Sequence, residues 1–379
     1  MRSLDVAREV SERYHPGLAK ALGELPYAER EAPGSPVIDL FRRHGGVGLL
    51  IPAEYGGLGA DPLEAVRAQR ALGALSPSLA AAVTMHHFTA AMLYALADGP
   101  GRLTAEQLEL LHGVVPEQRL MASGWAEGRT QQNILTPAVT ADRVPHGYRL
   151  NGSKKPCSLA RSMDLLTASI AVPGDDGTPE LALALVRADT PGLSVHPFWG
   201  NDVLAAAESD EVQLSAVFVP EELVIRTAAD DPDRIEDLQN AGFAWFELLI
   251  SAGYLGAASG LVEEVLRRDR GGVADRAELV LRTEAAAALL EGAARAVADG
   301  VSGEEAVAQV LVARYAVQRD LTAIADQALE LLGGLDFIRS SDHSRTAIAL
   351  RPLAFHPPSR AAAAGPLLSY LSGDPLVLS

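Results

Sequence analysis

Cysteine is almost absent from this sequence. The 379 residues include one, Cys157, so the chain cannot form an intramolecular disulfide, and zinc sites built from several cysteines are excluded. The N-terminal segment lacks the apolar core of a secretory signal, because Asp5 and Glu9 interrupt it. No stretch approaches the roughly 18 uninterrupted apolar residues of a spanning helix. We therefore expect a cytoplasmic protein with no membrane partner.

Basic residues are also few compared with acidic ones. There are 32 lysines and arginines against 49 aspartates and glutamates, a formal charge of -17. Nucleic acids and anionic membranes bind basic surfaces, so neither is expected as a partner. Solubility is the simpler meaning of the negative charge. The apolar fraction of 48% is ordinary for a globular protein with a large core.

The pattern of apolar residues divides the chain into three parts. Residues 1–119 show helical spacing, with a helix start at Asp61 and Pro62. Residues 120–230 form short alternating segments separated by Gly, Pro, Asp and Asn, which predicts a small antiparallel β-barrel or sandwich. Residues 231–379 return to long apolar helices typical of a bundle. We expect an α+β fold with these three regions as consecutive domains.

Several motifs occur in a recognisable order along the chain. They are LLIPAEYGGLG at Leu49–Gly59, GYRLNGSKK at Gly147–Lys155, PGL at Pro191–Leu193, VP at Val219–Pro220 and LGG at Leu332–Gly334. In sequence and separation they resemble signatures of the acyl-CoA dehydrogenase superfamily of flavoproteins. The resemblance extends over nearly the whole chain, and it implies a helical domain, a central β domain and a C-terminal bundle that binds flavin and forms a homodimer or homotetramer.

The resemblance also implies a flavin beside the stretch from Met121 to Val172. FAD is expected first, with FMN or a transiently bound reduced flavin as alternatives. A flavin ring needs hydrogen-bond partners along its pyrimidine edge and a flat apolar surface. The residues expected to supply these are Ser123, Trp125, Ala126 and Ser158. A core role for Trp125 and a turn role for Ser158 remain open.

Some positions of this stretch depart from the family pattern. Ala126 and Gly128 replace a threonine and a proline, and Arg129–Asn133 replaces a glycine-rich phosphate-binding segment. Further along the chain, Arg268 resembles an arginine that reaches the flavin pyrophosphate in the family. Gly333 and Gly334 resemble a turn that lies close to the dinucleotide. The alternatives are a solvated cation at a helix end and glycines that approach a neighbouring helix.

The position of a catalytic base is less clear. The family's C-terminal glutamate is missing, since no acidic residue occurs between Asp342 and Asp374. Glu247 is one candidate, because it stands alone in an apolar helical run where desolvation raises a carboxyl pKa. An ungapped match places Phe246 at the base position instead, and a structural role for Glu247 is equally open.

His356 is the second catalytic candidate. The FHPP segment that contains it resembles the ending of the flavin monooxygenase branch of the superfamily. A histidine near flavin could donate a proton during oxygen transfer or orient a phenolate. The alternative is a turn residue beside two prolines.

Three functions follow from the resemblance. The first is FAD-dependent dehydrogenation of an acyl thioester, carried on CoA or on a carrier protein. The second is a two-component flavin monooxygenase that acts on a small aromatic compound or amine. The third is a non-catalytic family member retained for its interactions. No metal is expected.

Overall fold

A computed structural model describes residues 1–128, 135–174 and 177–378. Its N-terminal part is helical. The helices are α1 (Arg2–Tyr14), α2 (Leu18–Glu24), α3 (Tyr27–Arg30), α4 (Val37–Arg43), α5 (Pro62–Leu75), α6 (Pro77–Ala97) and α7 (Ala105–His112). The predicted start of α5 is present as a capping box, in which Glu64 N donates to Asp61 Oδ1 at 2.8 Å and the Glu64 carboxylate accepts from Asp61 N.

The central part is an eight-stranded sheet. Its strands are β1 (Met121–Gly124), β2 (Thr140–Val144), β3 (Gly147–Cys157), β4 (Leu165–Pro173), β5 (Pro179–Arg187), β6 (Leu193–His196), β7 (Asp210–Pro220) and β8 (Val224–Arg226). The strand order is β6-β7-β3-β2-β4-β5-β8, and β1 pairs with β4. The predicted hairpin around Gly147 is the antiparallel β2–β3 pair.

The pairing of β1 differs from the antiparallel prediction. It runs parallel to β4, with Met121 opposite Leu165 and Gly124 opposite Ala168. All four residues of β1 are buried, so the strand has no polar and apolar alternation that would indicate its faces. The sequence pattern therefore gave no sign of β1 as a strand.

The C-terminal part is again helical. It contains α8 (Arg234–Arg267), α9 (Val273–Ala298), α10 (Gly303–Leu332), α11 (Gly334–Arg339), α12 (Asp342–Ala349) and α13 (Arg360–Leu371), with a 3₁₀ turn over Arg351–Phe355. The last helix, α13, begins at Arg360. The reason is Ser359, whose Oγ accepts from Ala362 N at 3.2 Å and caps the helix.

Helix α8 is the central element and packs against α5, α6 and α10. It approaches α5 backbone to backbone. A Cβ on Gly73 would lie 1.9 Å from the Gly253 carbonyl oxygen, and a Cβ on Gly256 would lie 2.1 Å from the Arg70 carbonyl oxygen. Only glycine fits at these two positions. The contact fixes the height and rotation of α8 relative to the N-terminal helices.

Two helices, α6 and α8, are long and apolar enough to cross a membrane by length and composition. In each, 83% of the most apolar window is buried inside the protein. Their apolar character is therefore explained by their position in the core. The main hydrophobic cluster contains residues of all three parts, such as Leu18, Leu166 and Leu255. The domain boundaries at 119/120 and 230/231 stay predictions.

Candidate active site

The first group of predicted site residues lies where β1 and β3 end side by side. Lys155 N donates to the Ala126 carbonyl at 2.8 Å, and Cys157 Sγ lies 3.6 Å from the Ser123 carbonyl oxygen. Ser158 directly follows β3, and its hydroxyl is 2.8 Å from that of Ser209. The fold thus brings Ser123, Ala126 and Ser158 to one edge of the sheet. The Arg129–Asn133 segment lies outside the described residues.

Trp125 lies at the same edge and has a free donor. Its indole Nε1 is buried, and no hydrogen-bond partner for it exists among the described residues. Burying such a donor without an acceptor costs free energy, on the order of 1–3 kcal/mol. A bound molecule with an acceptor at this edge would remove that cost. The indole is also a flat apolar surface of the kind on which a flavin ring packs.

Two charged residues beneath this edge are fully paired. Lys154 Nζ donates to Glu127 Oε1 at 2.7 Å and to Ser169 Oγ at 3.0 Å. The Glu127 carboxylate also accepts from Ala138 N at 2.8 Å. Burial lowers the pKa of Lys154 to about 8, while Lys154 and the backbone N–H groups lower the pKa of Glu127 against the effect of its own burial. The pair joins the end of β1 to β3 and to the approach to β2.

The second group surrounds His356. Its Nε2 is 3.0 Å from Tyr254 Oη, and its ring meets the Phe246 ring nearly edge-on at a centroid distance of 5.5 Å. The Phe88 ring is 5.4 Å from that of Phe246. Burial, with the Arg314 charge second, lowers the pKa of His356 to about 3. The imidazole is therefore neutral near pH 7 and poorly suited to store a proton.

Glu247 is adjacent to Phe246 but makes a different contact. Its Oε1 accepts from Arg314 Nη1 at 2.8 Å, and both side chains are completely buried. The other carboxylate oxygen, Oε2, has no partner among the described residues. Burial raises the pKa of Glu247 to about 7, although Arg314 opposes this shift. Glu247 is thus held in an ion pair, and its role as a base stays a prediction.

The third group, Arg268 with Gly333 and Gly334, lies at the far end of α8. Arg268 pairs with Glu264 and donates to Asp336 Oδ1 at 2.6 Å. Its charge is therefore matched by two carboxylates, an arrangement that does not suit a phosphate. Gly333 needs its φ of +86°, yet a Cβ on either glycine would meet nothing within 4 Å. Neither glycine makes a close backbone approach within the described residues.

Sequence reasoning missed two residues of the second group, Tyr254 and Arg314. A signal for Arg314 existed: it interrupts the apolar stripe of α10 between Leu311 and Val317. A lone cation on a buried helical face requires a buried anion. Glu247, the lone acid on the apolar face of α8, was the available partner. Tyr254 gave no comparable signal.

Comparison with known proteins identifies the relatives of this chain. It is 61% identical to an isobutylamine N-hydroxylase from Streptomyces viridifaciens over 376 residues, which cover 99% of this chain and 100% of that protein. The chain belongs to the acyl-CoA dehydrogenase superfamily. Its residues 5–99 match the family model described as acyl-CoA dehydrogenase, N-terminal domain.

Two further proteins are more distantly similar to this chain, one in sequence and one in fold. A dibenzothiophene monooxygenase from Rhodococcus qingshengii is 29% identical over 265 residues, 68% of this chain and 60% of that protein. The structure of KijD3 in complex with FMN and a dTDP-linked amino sugar superposes with a TM-score of 0.82 at 24% identity. That match covers 97% of this chain and 93% of KijD3. The predicted superfamily and α+β fold are confirmed.

Proposed function

We propose that this protein is a flavin-dependent monooxygenase that hydroxylates the nitrogen of a small primary aliphatic amine. The observation that carries the proposal is the 61% identity, over nearly the whole length of both chains, to an isobutylamine N-hydroxylase. The amine bound to KijD3 and its FMN agree with this chemistry. Of the functions expected from the sequence, the monooxygenase alternative is therefore preferred.

The first function expected from the sequence, dehydrogenation of an acyl thioester, has less support. It requires a carboxylate that is free to take the α-proton. The sequence has no acid between Asp342 and Asp374, and Glu247 is engaged by Arg314. We therefore favour an amine, the substrate of the monooxygenase alternative, over a thioester on CoA or a carrier protein.

The residues at the β1 and β3 edge suit a flavin ring. We propose that Ser123, Trp125, Ala126 and Ser158 hold it there, with the free Trp125 N–H as an available donor. When bound in its reduced form, flavin supplies two electrons for the overall reaction: amine, O₂ and reduced flavin give hydroxylamine, water and oxidised flavin. Either FAD or FMN satisfies this stoichiometry.

His356 is placed to orient the amine. An alkylamine in water is protonated near neutral pH, as lysine is with its pKa of about 10.4, and it reacts as the neutral amine after releasing that proton to water. A neutral imidazole does not repel an ammonium ion. Its Nε2 is occupied by Tyr254, and Nδ1 makes no hydrogen bond among the described residues. We propose that Nδ1 binds the substrate nitrogen, while Phe88 and Phe246 contact the alkyl group.

To test this proposal, a separate reductase would supply reduced flavin to the purified protein. Isobutylamine and other primary amines of three to six carbons would be added under ¹⁸O₂, and products analysed by mass spectrometry. We expect a hydroxylamine that contains one ¹⁸O atom. An acyl thioester that bleaches bound flavin without oxygen, together with no oxidised amine, would restore the dehydrogenase function. Protein that binds no flavin in either redox state would support the non-catalytic alternative.

A further inference from the structure

Arg314 is a fully buried side chain that makes several hydrogen bonds close to His356. Besides its bond to Glu247, its Nη1 donates to the Pro358 carbonyl at 3.0 Å. Its Nη2 donates to the carbonyls of Leu353 at 2.9 Å and His356 at 2.6 Å. One guanidinium thus binds three carbonyl oxygens of the segment 353–358, called here the His356 segment.

The His356 segment needs these donors. It contains Pro357 and Pro358, which have no N–H, so the segment cannot form a regular hydrogen-bonded helix or strand there. Three of its carbonyls point to the fully buried Arg314 guanidinium, away from water, where a carbonyl requires a hydrogen-bond donor. Tyr315, next to Arg314 on α10, adds a bond from its hydroxyl to the Pro358 carbonyl at 2.8 Å. The segment is therefore attached to α10 by side chains.

Glu247 accounts for the charge of Arg314. A guanidinium that is fully buried requires an anion, and Glu247 from α8 supplies it at 2.8 Å. The same helix carries Tyr254 and Phe246, which contact the His356 ring. The backbone of His356 is thus bound from α10 and its ring from α8, with the ion pair joining the two helices.

We propose that Arg314 is the positioning residue for His356. It fixes the backbone of the His356 segment so that the imidazole meets Tyr254 and Phe246 at the distances observed, and it acts on the reaction only through His356. This inference rests on the proposed amine N-hydroxylation for its catalytic consequence. Its structural content, a segment held by one guanidinium, is independent of that function.

Lysine cannot replace arginine in this role. The planar guanidinium directs several N–H groups at fixed angles, whereas an ammonium is a compact group on a flexible chain. Arg314→Lys keeps the charge for Glu247 but loses simultaneous contact with the three carbonyls. Arg319→Lys is the matched control, because Arg319 lies on the same helix with its side chain 79% exposed.

The experiment compares wild type, R314K, E247Q and R319K as full-length proteins. Hydrogen exchange measured by mass spectrometry would follow the amides of residues 353–356, and NMR would follow the ring protons of His356. Product formed per reduced flavin consumed would be measured with isobutylamine. For R314K we expect at least tenfold faster exchange in the segment, a shifted His356 resonance and a fall of tenfold or more in product per flavin. R319K should match wild type.

The outcomes separate this inference from the proposed function. R314K with wild-type exchange and resonance would overturn the inference, and so would faster exchange with unchanged product per flavin. If R314K does not fold, E247Q carries the same test, because it keeps the shape of the pair and weakens its hold on Arg314. If the wild type oxidises no amine, the proposed function fails, and exchange and NMR alone then decide whether Arg314 positions His356.

Discussion

The protein contains two buried ion pairs of nearly equal length that do different things. Glu127 and Lys154 are 2.7 Å apart, and Glu247 and Arg314 are 2.8 Å apart. In the first pair the ammonium of Lys154 also binds Ser169. The carboxylate of Glu127 binds backbone N–H groups as well as Lys154, and these contacts lower the pKa of Glu127 against the effect of its burial. In the second pair Glu247 Oε2 has no partner among the described residues, and burial raises the pKa of Glu247 to about 7.

The difference lies in where the remaining hydrogen bonds go. Lys154 and Glu127 bind groups of the β region and hold adjacent segments together. Arg314 directs its other Nη donors to the His356 segment, while its Nε and Glu247 Oε2 have no hydrogen-bond partner among the described residues. A buried pair is worth little for stability unless its lone pairs and protons are satisfied. The first pair meets that condition, and the second serves the placement of a neighbouring segment.

The largest expected effect on stability comes from removing Lys154 from its ion pair with Glu127. Lys154→Met leaves Glu127 buried without its cation, which we expect to lower the free energy of unfolding by about 3–5 kcal/mol. Urea denaturation followed by circular dichroism would measure it. The double variant with Glu127→Gln should recover part of the loss. A cost under about 1 kcal/mol for the single variant would remove the distinction between the pairs.

The second prediction concerns the pH dependence of the Glu247 pair. Its folded pKa of about 7 lies above the ordinary value of 4.5, so its contribution to stability is present below pH 4.5 and is lost as pH rises through 7. Glu247→Gln removes this loss. From pH 5 to pH 8 the variant should gain stability relative to wild type by on the order of 1–3 kcal/mol.

The contribution of Glu127 to stability should depend on pH in the opposite direction. Its pKa is lowered in the folded protein, so its contribution is present above the ordinary carboxyl pKa and is lost as the pH falls. Urea unfolding curves of Glu127→Gln, measured from about pH 3 to about pH 8, should therefore differ from wild type at neutral pH and converge with it in acid. Parallel profiles for the two glutamine variants would show that the pairs are alike.

A third prediction uses buried polar groups that have no charge partner. His15 and His87 are buried on either side of Phe41, and neither ring has a hydrogen-bond partner among the described residues. Burial lowers the pKa of His15 to about 4 and that of His87 well below its ordinary value. The unfolded chain therefore binds protons first, and stability falls as pH drops below 6.5.

Replacing one of these rings should reduce that acid sensitivity. We expect His87→Phe to flatten the fall in unfolding free energy between pH 6 and pH 4 by up to about 1.4 kcal/mol per pH unit. Thermal unfolding at fixed ionic strength measures the slope, with the exposed His146→Phe as control. An unchanged slope would assign acid sensitivity to the carboxylates of the ion pairs.

The smallest expected effect is at the proposed flavin edge. Ser158→Ala removes one neutral hydrogen-bonding group, worth about 0.5–1.5 kcal/mol, so we expect flavin affinity to fall about three- to tenfold. Fluorescence titration with FMN and FAD would measure it. Ser372→Ala, at an exposed serine just after α13, is a control that should leave affinity unchanged.

The order of elements was readable from the sequence because it depends on local pattern. The Asp61 cap, the β2–β3 hairpin and the long C-terminal helices all follow from spacing, turn residues and caps. The β1–β4 pairing was not readable, because it joins distant segments and its four residues show no alternation. The family signatures then identified the superfamily.

The site was only partly readable. The family resemblance grouped Ser123, Ala126 and Ser158 around the flavin, whereas the pairing of Glu247 with Arg314 joins residues 67 positions apart. Glu247 was a candidate base because its partner, Arg314, lies on a different helix, and the sequence of α8 alone does not indicate that partner. The family resemblance made Arg268 a candidate phosphate ligand, although Glu264 lies only four residues before it and its second partner, Asp336, is distant in sequence. Charge compensation across helices is set by tertiary packing.

The glycine contact between α5 and α8 bears on how this enzyme can change. Since the two backbones touch at Gly73 and Gly256, α8 can neither slide nor turn to accommodate a larger neighbour. Phe246 and Tyr254 therefore keep their positions when nearby side chains change. Under the proposed function, new substrate preferences should arise from trimming or enlarging side chains such as Phe88, on a helix frame that stays constant, and libraries that spare the helix glycines should retain folded members.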